Sequence, residues 1–171
     1  HKTSSETVIS RSVRYNLMEN DVSIHSENDS WIKLNSPPDG ITSADITTAV
    51  YPGFPTDLQP LWSALMCRAR GNSVITDTIY PERFTHVPEL QRLGGDLRQE
   101  LNSVYIRGVP QLRAAPLMCS DIRGGAALVV AALAAEGTSR ILRVYHIDRG
   151  YERMEEKLRG LGAKLWREKN N

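Results

Sequence analysis

The chain has 171 residues, 40% of them apolar and 24% charged, which suits a single domain large enough to bury a core. Its net charge of +1 excludes bulk attraction to nucleic acid or a membrane surface, so any anion site must be local. The longest apolar run, "AALVVAALAA" at 126–135, is about half of the roughly 20 residues a membrane span needs, and reads as a buried helix. No signal peptide is apparent, and the start at His1 rather than a methionine reads as the mark of something upstream. Cys67 and Cys119 lie in or beside apolar stretches without metal-ligand spacing. They read as reduced, buried thiols in a reducing compartment, the cytoplasm or, in a photosynthetic eukaryote, the plastid stroma.

In chain order, "TVISRSVRYNLM" at 7–18 predicts a helix, and "VSIHSENDSWIKL" predicts two short strands joined by a polar turn. "NSPPDG" at 35–40 is a strong turn signal. The stretch "YPGFPTDLQPLW" at 51–62 then stiffens the entry to a helix with three prolines. Leu58, Leu61, Trp62, Leu65, Met66 and Ala69 fall on one helical face, with Thr56 and Gln59 as a capping box and Gly71 as the stop. Pro60 falls in the first turn, where a missing N–H is tolerated. "NSVITDTIY" reads as a strand, "VPELQRL" as a helix opening on Pro88 and ending at Gly94, and "SVYIRG" as another strand.

The same order of events recurs. "SDIR" at 120–123 stands where "TDLQ" stood at 56–59, "GTSRI" at 137–141 echoes "GNSVI" at 71–75, and "KLRGLGAKL" at 157–165 echoes "ELQRLGGDL" at 89–97. A weaker third copy, "YNLMENDV" at 15–22, precedes both. The chain therefore reads as an α/β protein built on a repeated unit: an incomplete copy over 1–42, one unit over 43–108 and a final one over 109–171. The buried helix of the second unit should end at Gly137, as the first should end at Gly71.

Two helices open on a carboxylate, Asp57 in "PTDLQ" and Asp121 in "CSDIR". Each could simply cap its helix, because free N–H groups and the macrodipole favour a negative charge there. The rigid approach through Pro52, Gly53 and Pro55 favours a functional role for Asp57, since a stiff loop holds a side chain at low entropic cost. Arg123 lies where a cation is electrostatically misplaced, and with Gly124 and Gly125 it suggests a place for an anion to meet backbone and guanidinium together. The alternative is a surface arginine with a packed stem. Arg149 in "HIDRGYER" stands between a strand and a helix, as a ligand contact or as an internal ion pair with Asp148. Tyr80, Arg83 and Phe84 either line a cleft or cover a sheet edge. His86 and His146 have no metal-ligand partner at useful spacing and read as structural; Trp62 and Met66 read as core.

"YPGFPTDLQ", "ITDTIYPERFTHVPELQRLG", "SDIRGGAALVVAALAAEGTS" and "YHIDRGYERMEEKLRGLGAKL" together resemble the C-terminal part of the UDP-N-acetylglucosamine 1-carboxyvinyltransferases, a family of enolpyruvyl transferases. The likeness covers about 43–168 and continues more weakly toward residue 7. It implies βαβαββ-type units in a partial lobe. The implied activity is transfer of enolpyruvyl from phosphoenolpyruvate to the 3-hydroxyl of UDP-N-acetylglucosamine, the first committed step of peptidoglycan synthesis, by addition and elimination without a metal or other cofactor. It implies that Asp57 faces the reacting hydroxyl as general base and that Ile79 contacts the UDP-sugar. Asp121 and Arg123 would belong to the cleft, and Arg149 would meet phosphoenolpyruvate. The family's N-terminal lysine–asparagine pair and its mobile loop with a reactive cysteine and an arginine have no counterpart in this sequence, so the resemblance implies a half-site that needs the other lobe and is inactive alone. The other reading is a non-catalytic relative that keeps the fold for structure or partner binding. Neither nucleic acid nor membrane is an expected partner.

Overall fold

The computed structural model describes residues 23–28, 31–35 and 37–168. The helix predicted over 7–18 and the weak third repeat copy lie outside the described residues. β1 (Ser23–Asn28) and β2 (Trp31–Asn35) pair antiparallel, as the sequence predicts. In the turn that follows, Gly40 takes φ +79° and its N–H donates to the Pro37 carbonyl at 3.1 Å.

The body of the fold rests on two parallel crossovers. In the first, β3 (Ile46–Thr47) leads through the proline-rich loop, a 3-10 turn at Thr56–Leu58 and α1 (Gln59–Met66) into β4 (Asn72–Thr76), which lies parallel to β3. In the second, β8 (Pro116–Met118) leads through α3 (Ile122–Leu133) into β10 (Arg140–Leu142), parallel to β8. Each has a short parallel contact beside it: Thr42 with Arg70 for the first, and β7 (Leu112–Arg113) with β9 (Ala135–Glu136) for the second. This mixed α/β architecture is the physical content of the sequence repeat. Between the crossovers come α2 (Val87–Arg92), β5 (Asp96–Glu100) and β6 (Ser103–Arg107), giving a four-stranded sheet of order β3-β4-β6-β5. After the second come α4 (Tyr145–Asp148) and α5 (Met154–Gly160). β5 escapes a periodicity reading because "DLRQE" buries only Leu97.

The core includes Trp62, Met66, Ile75, Leu90, Val104, Leu117 and Leu128, all 5% exposed or less. Phe54 meets Trp62 edge to face at 5.5 Å, which anchors the proline-rich loop on α1. Both cysteines are free and buried. Burial pushes the Cys67 thiol up to about 12 and the Cys119 thiol to about 11, so neither is a nucleophile at neutral pH.

Four expectations need correction. The capping box at Thr56–Gln59 does not form: Pro55 is the cap residue, the Thr56 hydroxyl turns away to Asp77, and Gln59 is buried with its amide directed to Ser63. The buried face of α1 is also wider than the predicted one. Gln59, Pro60, Trp62, Ser63, Ala64 and Met66 are buried while Leu65 is 38% exposed, because α1 packs against both the sheet and α3. Gly71 does not stop the helix, which ends at Met66; it opens β4 with φ +106°, where a Cβ would lie 2.6 Å from Ser43 Oγ. In the same way α3 ends at Leu133, before Gly137, because β9 intervenes.

The helix expected to be buried throughout is buried only in part. Gly124 to Leu128 and Ala131 are covered, whereas Val130 and Leu133 are 46% and 40% exposed. Ala131 is 2% exposed within the core, so its substitution by leucine has no space to fill. Ala131→Leu should lower stability by about 1–3 kcal/mol, read from urea unfolding midpoints. An unchanged midpoint would mean that the contact is looser than described.

Candidate functional site

The two opening carboxylates occupy equivalent places in the two crossovers and do different work. Asp121 is the N-cap of α3, with φ −151° and ψ 170°. Its Oδ1 accepts from the N–H groups of Arg123 and Gly124 at 2.9 and 2.8 Å, and its Oδ2 from the Thr85 hydroxyl at 2.7 Å. Burial would raise this carboxyl, but those three donors outweigh it and hold the group below the usual carboxylate range. Asp57 instead sits inside the 3-10 turn that Pro55 caps, and it makes no cap hydrogen bond. Standing two positions past the cap, its side chain does not fold back onto the first N–H groups but reaches outward.

What it reaches is a pair of guanidiniums. Arg83 Nη1 donates to Asp57 Oδ1 at 2.9 Å. Arg123 grips the carboxylate with two nitrogens, Nε on Oδ1 and Nη2 on Oδ2, the latter at 2.7 Å. The Arg83 guanidinium lies 4.1 Å from the centroid of the Tyr80 ring, a cation–π contact that fixes it. Arg123, misplaced by the dipole of its own helix, is thus compensated by Asp57 across the crossovers, and this hydrogen bond holds the guanidinium more firmly charged still. Oδ1 has two donors and Oδ2 one, so Oδ2 keeps a lone-pair position for a further donor.

Arg149 closes α4 and is exposed. Together with Ser120, Asp121, Ile122, Arg123 and His146 it lines a pocket at the opening of α3. The internal pair with Asp148 does not form: Asp148 accepts from both terminal nitrogens of Arg167 at 2.8 and 2.7 Å, which hold its carboxyl below the usual range. Among the described residues the Arg149 guanidinium has no hydrogen-bond or ion-pair partner, its backbone N–H alone being taken by the Ile147 carbonyl. Gly124 and Gly125 do not offer free backbone to an anion. The Gly124 N–H is taken by Asp121, and a Cβ at Gly125 would lie 2.3 Å from Cys119 Sγ, so Gly125 serves close packing. Ile79 is half-buried just beyond β4, and Phe84 is core at 2% exposure. No group of three or more His, Cys, Asp or Glu among the described residues could hold a metal.

The sequence reading missed Asp77, which is fully buried. It accepts from Thr48 Oγ1 at 2.8 Å, Thr56 Oγ1 at 2.7 Å and the N–H groups of Ile79 and Tyr80 at 2.9 and 2.8 Å. Burial would raise its carboxyl; the Tyr80, Thr56, Thr48 and Ile79 donors together bring it below the usual range instead. The available signal was an aspartate at a strand end followed by a turn, where its side chain commonly bonds the backbone two and three residues on.

His86, beside Thr85, is 1% exposed and neither ring nitrogen has a partner. Burial lowers it to about 4, against a smaller opposing pull from Asp121. The unfolded chain therefore takes up a proton below about pH 6.5 that the folded chain refuses until about pH 4. Stability from this group is complete above pH 6.5 and is lost as pH falls toward 4. Urea unfolding should show a loss of about 2 kcal/mol between pH 7.5 and pH 5, and His86→Leu should flatten that slope.

No helix of the described residues is long and apolar enough to cross a membrane. The family described as EPSP synthase (3-phosphoshikimate 1-carboxyvinyltransferase) matches residues 3–158. The UDP-N-acetylglucosamine 1-carboxyvinyltransferase of Anaeromyxobacter sp. (strain Fw109-5) is 55% identical over 125 residues, 73% of this chain and 30% of that protein. That of Magnetococcus marinus is 51% identical over 141 residues, 82% of this chain and 34% of that protein. The chain thus spans about a third of the length of the curated relatives it matches. Among solved structures, the enolpyruvyl transferase NikO from Streptomyces tendae superposes with a TM-score of 0.83 at 25% identity, over 91% of this chain and 36% of that one. The EPSP synthase from Acinetobacter baumannii, at 17% identity and a TM-score of 0.67 over 92% of this chain and 37% of that one, shares the fold.

Proposed function

The chain belongs to the EPSP synthase family of enolpyruvyl transferases, and from that premise we propose that it forms one wall of the active site of a UDP-N-acetylglucosamine 1-carboxyvinyltransferase. The other wall comes from sequence that this chain does not contain, and the chain alone has no turnover. In this reading 43–108 and 109–171 are two repeat units of one lobe. The setting is cytoplasmic peptidoglycan synthesis, and the partners are phosphoenolpyruvate, UDP-N-acetylglucosamine and the complementary lobe.

The observation that carries the reading is the contrast between two equivalent carboxylates. Asp121 is consumed by its own helix, whereas Asp57 is presented outward at the end of a stiffened loop with an acceptor position open on Oδ2. There it receives the sugar 3-hydroxyl and takes its proton as the oxygen adds to C2 of phosphoenolpyruvate, while C3 takes up a proton from an acid on the other wall. Loss of phosphate and of a proton from C3 then leaves the enolpyruvyl ether. Ile79 packs against the UDP-sugar. Arg149, whose guanidinium has no partner among the described residues, and Arg123 face the anionic groups of phosphoenolpyruvate across the pocket they share, and Asp121 fixes the start of the helix that carries Arg123.

The test joins the 171-residue chain to the portion of the Magnetococcus marinus enzyme that it does not match, and follows phosphate release from phosphoenolpyruvate. Arg149→Lys in that fusion should raise the apparent KM for phosphoenolpyruvate about tenfold or more and slow turnover, because lysine cannot copy a two-pronged grip on an oxyanion. A variant that loses only melting temperature would make Arg149 a structural residue.

A further inference from the structure

We propose that Asp77 is a positioning residue that sets the distance between the Asp57 carboxylate and the Ile79–Tyr80 backbone. The proposal rests on the reading of Asp57 and Ile79 as substrate contacts. One buried carboxylate gathers four donors from three separate segments. Thr48 comes from the end of β3, Thr56 from the proline-rich loop, and Ile79 and Tyr80 from the turn after β4. Two routes lead from it to Asp57. The first is direct: Thr56 precedes Asp57 in the chain, and its hydroxyl is committed to Asp77 rather than to a helix cap. The second runs through Tyr80, whose ring lies under the Arg83 guanidinium, which in turn holds Asp57 Oδ1. Thr48 braces the hub from the other side, since its hydroxyl accepts from the Thr78 N–H at 3.0 Å and its carbonyl accepts from the Thr78 hydroxyl at 2.5 Å.

Because these bonds end on a charged acceptor out of water, they are stronger and more directional than neutral ones. Releasing one arm displaces Asp57 while leaving every substrate-facing residue chemically unchanged. Misplacing a reacting group by about 1 Å can cost on the order of 10²-fold in rate.

Asp77→Asn puts an amide donor among four donors and risks the fold, so the decisive variant is Thr56→Val, which keeps the shape and removes a single arm. In the fusion, Thr56→Val should lower kcat about 10- to 100-fold, with KM for UDP-N-acetylglucosamine changed less than threefold. Ala131→Leu serves as the control, losing melting temperature without that loss of kcat. If Thr56→Val retains full kcat, or if both variants lose activity only in proportion to the folded fraction, the positioning role is overturned. Amide exchange in the 171-residue chain is a separate readout. The Ile79 and Tyr80 N–H groups should be protected in the parent and should exchange at least tenfold faster in Asp77→Asn. A fusion that is inactive before any substitution sinks the transferase reading and leaves the hub to stand or fall on that exchange, and unprotected amides in the parent overturn the hub even in an active fusion.

Discussion

On the proposed reading of Asp57 as general base, Asp57→Asn should reduce turnover of the fusion by on the order of 10²–10⁴, the usual cost of removing such a group, while affinity for UDP-N-acetylglucosamine changes little. Asparagine keeps the size of the group and a carbonyl acceptor, but it cannot take a proton. The structure adds a second expectation. Arg83 and Arg123 both end on this carboxylate, and an amide answers two guanidiniums poorly. The Asn variant should therefore bind an added anion such as inorganic phosphate more tightly than the parent does, because its arginines are freed. Full activity in Asp57→Asn would reduce the carboxylate to a salt-bridge partner for the two arginines.

Gly108→Ala should prevent the chain from folding. Gly108 follows β6, its N–H donates to the Gly71 carbonyl at 3.0 Å, and the next residue, Val109, bonds the Cys67 carbonyl at 2.8 Å. A Cβ there would lie 1.6 Å from the Ala69 carbonyl oxygen and 2.7 Å from its carbon. Backbone is on both sides of this contact, so no rotamer change relieves it. The cost should exceed the roughly 1–3 kcal/mol of ordinary overpacking, which is a large share of the stability of a domain this size. Loss of the cooperative thermal transition is the expected readout. A melting temperature within a few degrees of the parent would show that the strand and the α1 turn do not approach so closely.

Much of the fold could be read from the chain because repetition makes its pattern redundant. "SDIR" against "TDLQ" and "GTSRI" against "GNSVI" mark the openings and returns of two crossovers, and β3 with β4 and β8 with β10 do pair in parallel. Periodicity failed where a helix is covered on more than one side. The face of α1 reads as Leu58, Leu61, Trp62, Leu65, Met66 and Ala69; Trp62, Met66 and Ala69 are buried as read, but Leu65 is exposed and Gln59 and Ser63 are buried as well, satisfied in part by each other. It failed again at two of the glycines read as helix stops, although Gly94, with φ +85° directly after the cap of α2, does end its helix. Gly71 and Gly137 both take positive φ, but each lies several residues past the end of its helix.

The candidate site shows the same division. Where side chains meet across segments, sequence spacing is silent. Nothing in the chain's order says that Arg123 reaches Asp57, 66 residues away, or that Thr56 turns from its own helix to Asp77. Asp121 and Asp57 look alike in sequence and differ in structure because the first stands at the cap position and the second stands two residues past the cap, inside the turn. That two-residue offset separates a carboxylate spent on its own helix from one that reaches across to Arg83 and Arg123.

The measurement that bears most directly on this account is phosphate release from phosphoenolpyruvate by the chain alone and by its fusion to the uncovered part of a relative, each with and without UDP-N-acetylglucosamine. Catalysis that depends on positioning two substrates and on charge from both sides of a cleft requires both walls. The expected result is no release by the chain alone and UDP-N-acetylglucosamine-dependent release by the fusion. Release by the chain alone would contradict the half-site, and a folded fusion that releases none would leave the chain as a non-catalytic member of its family.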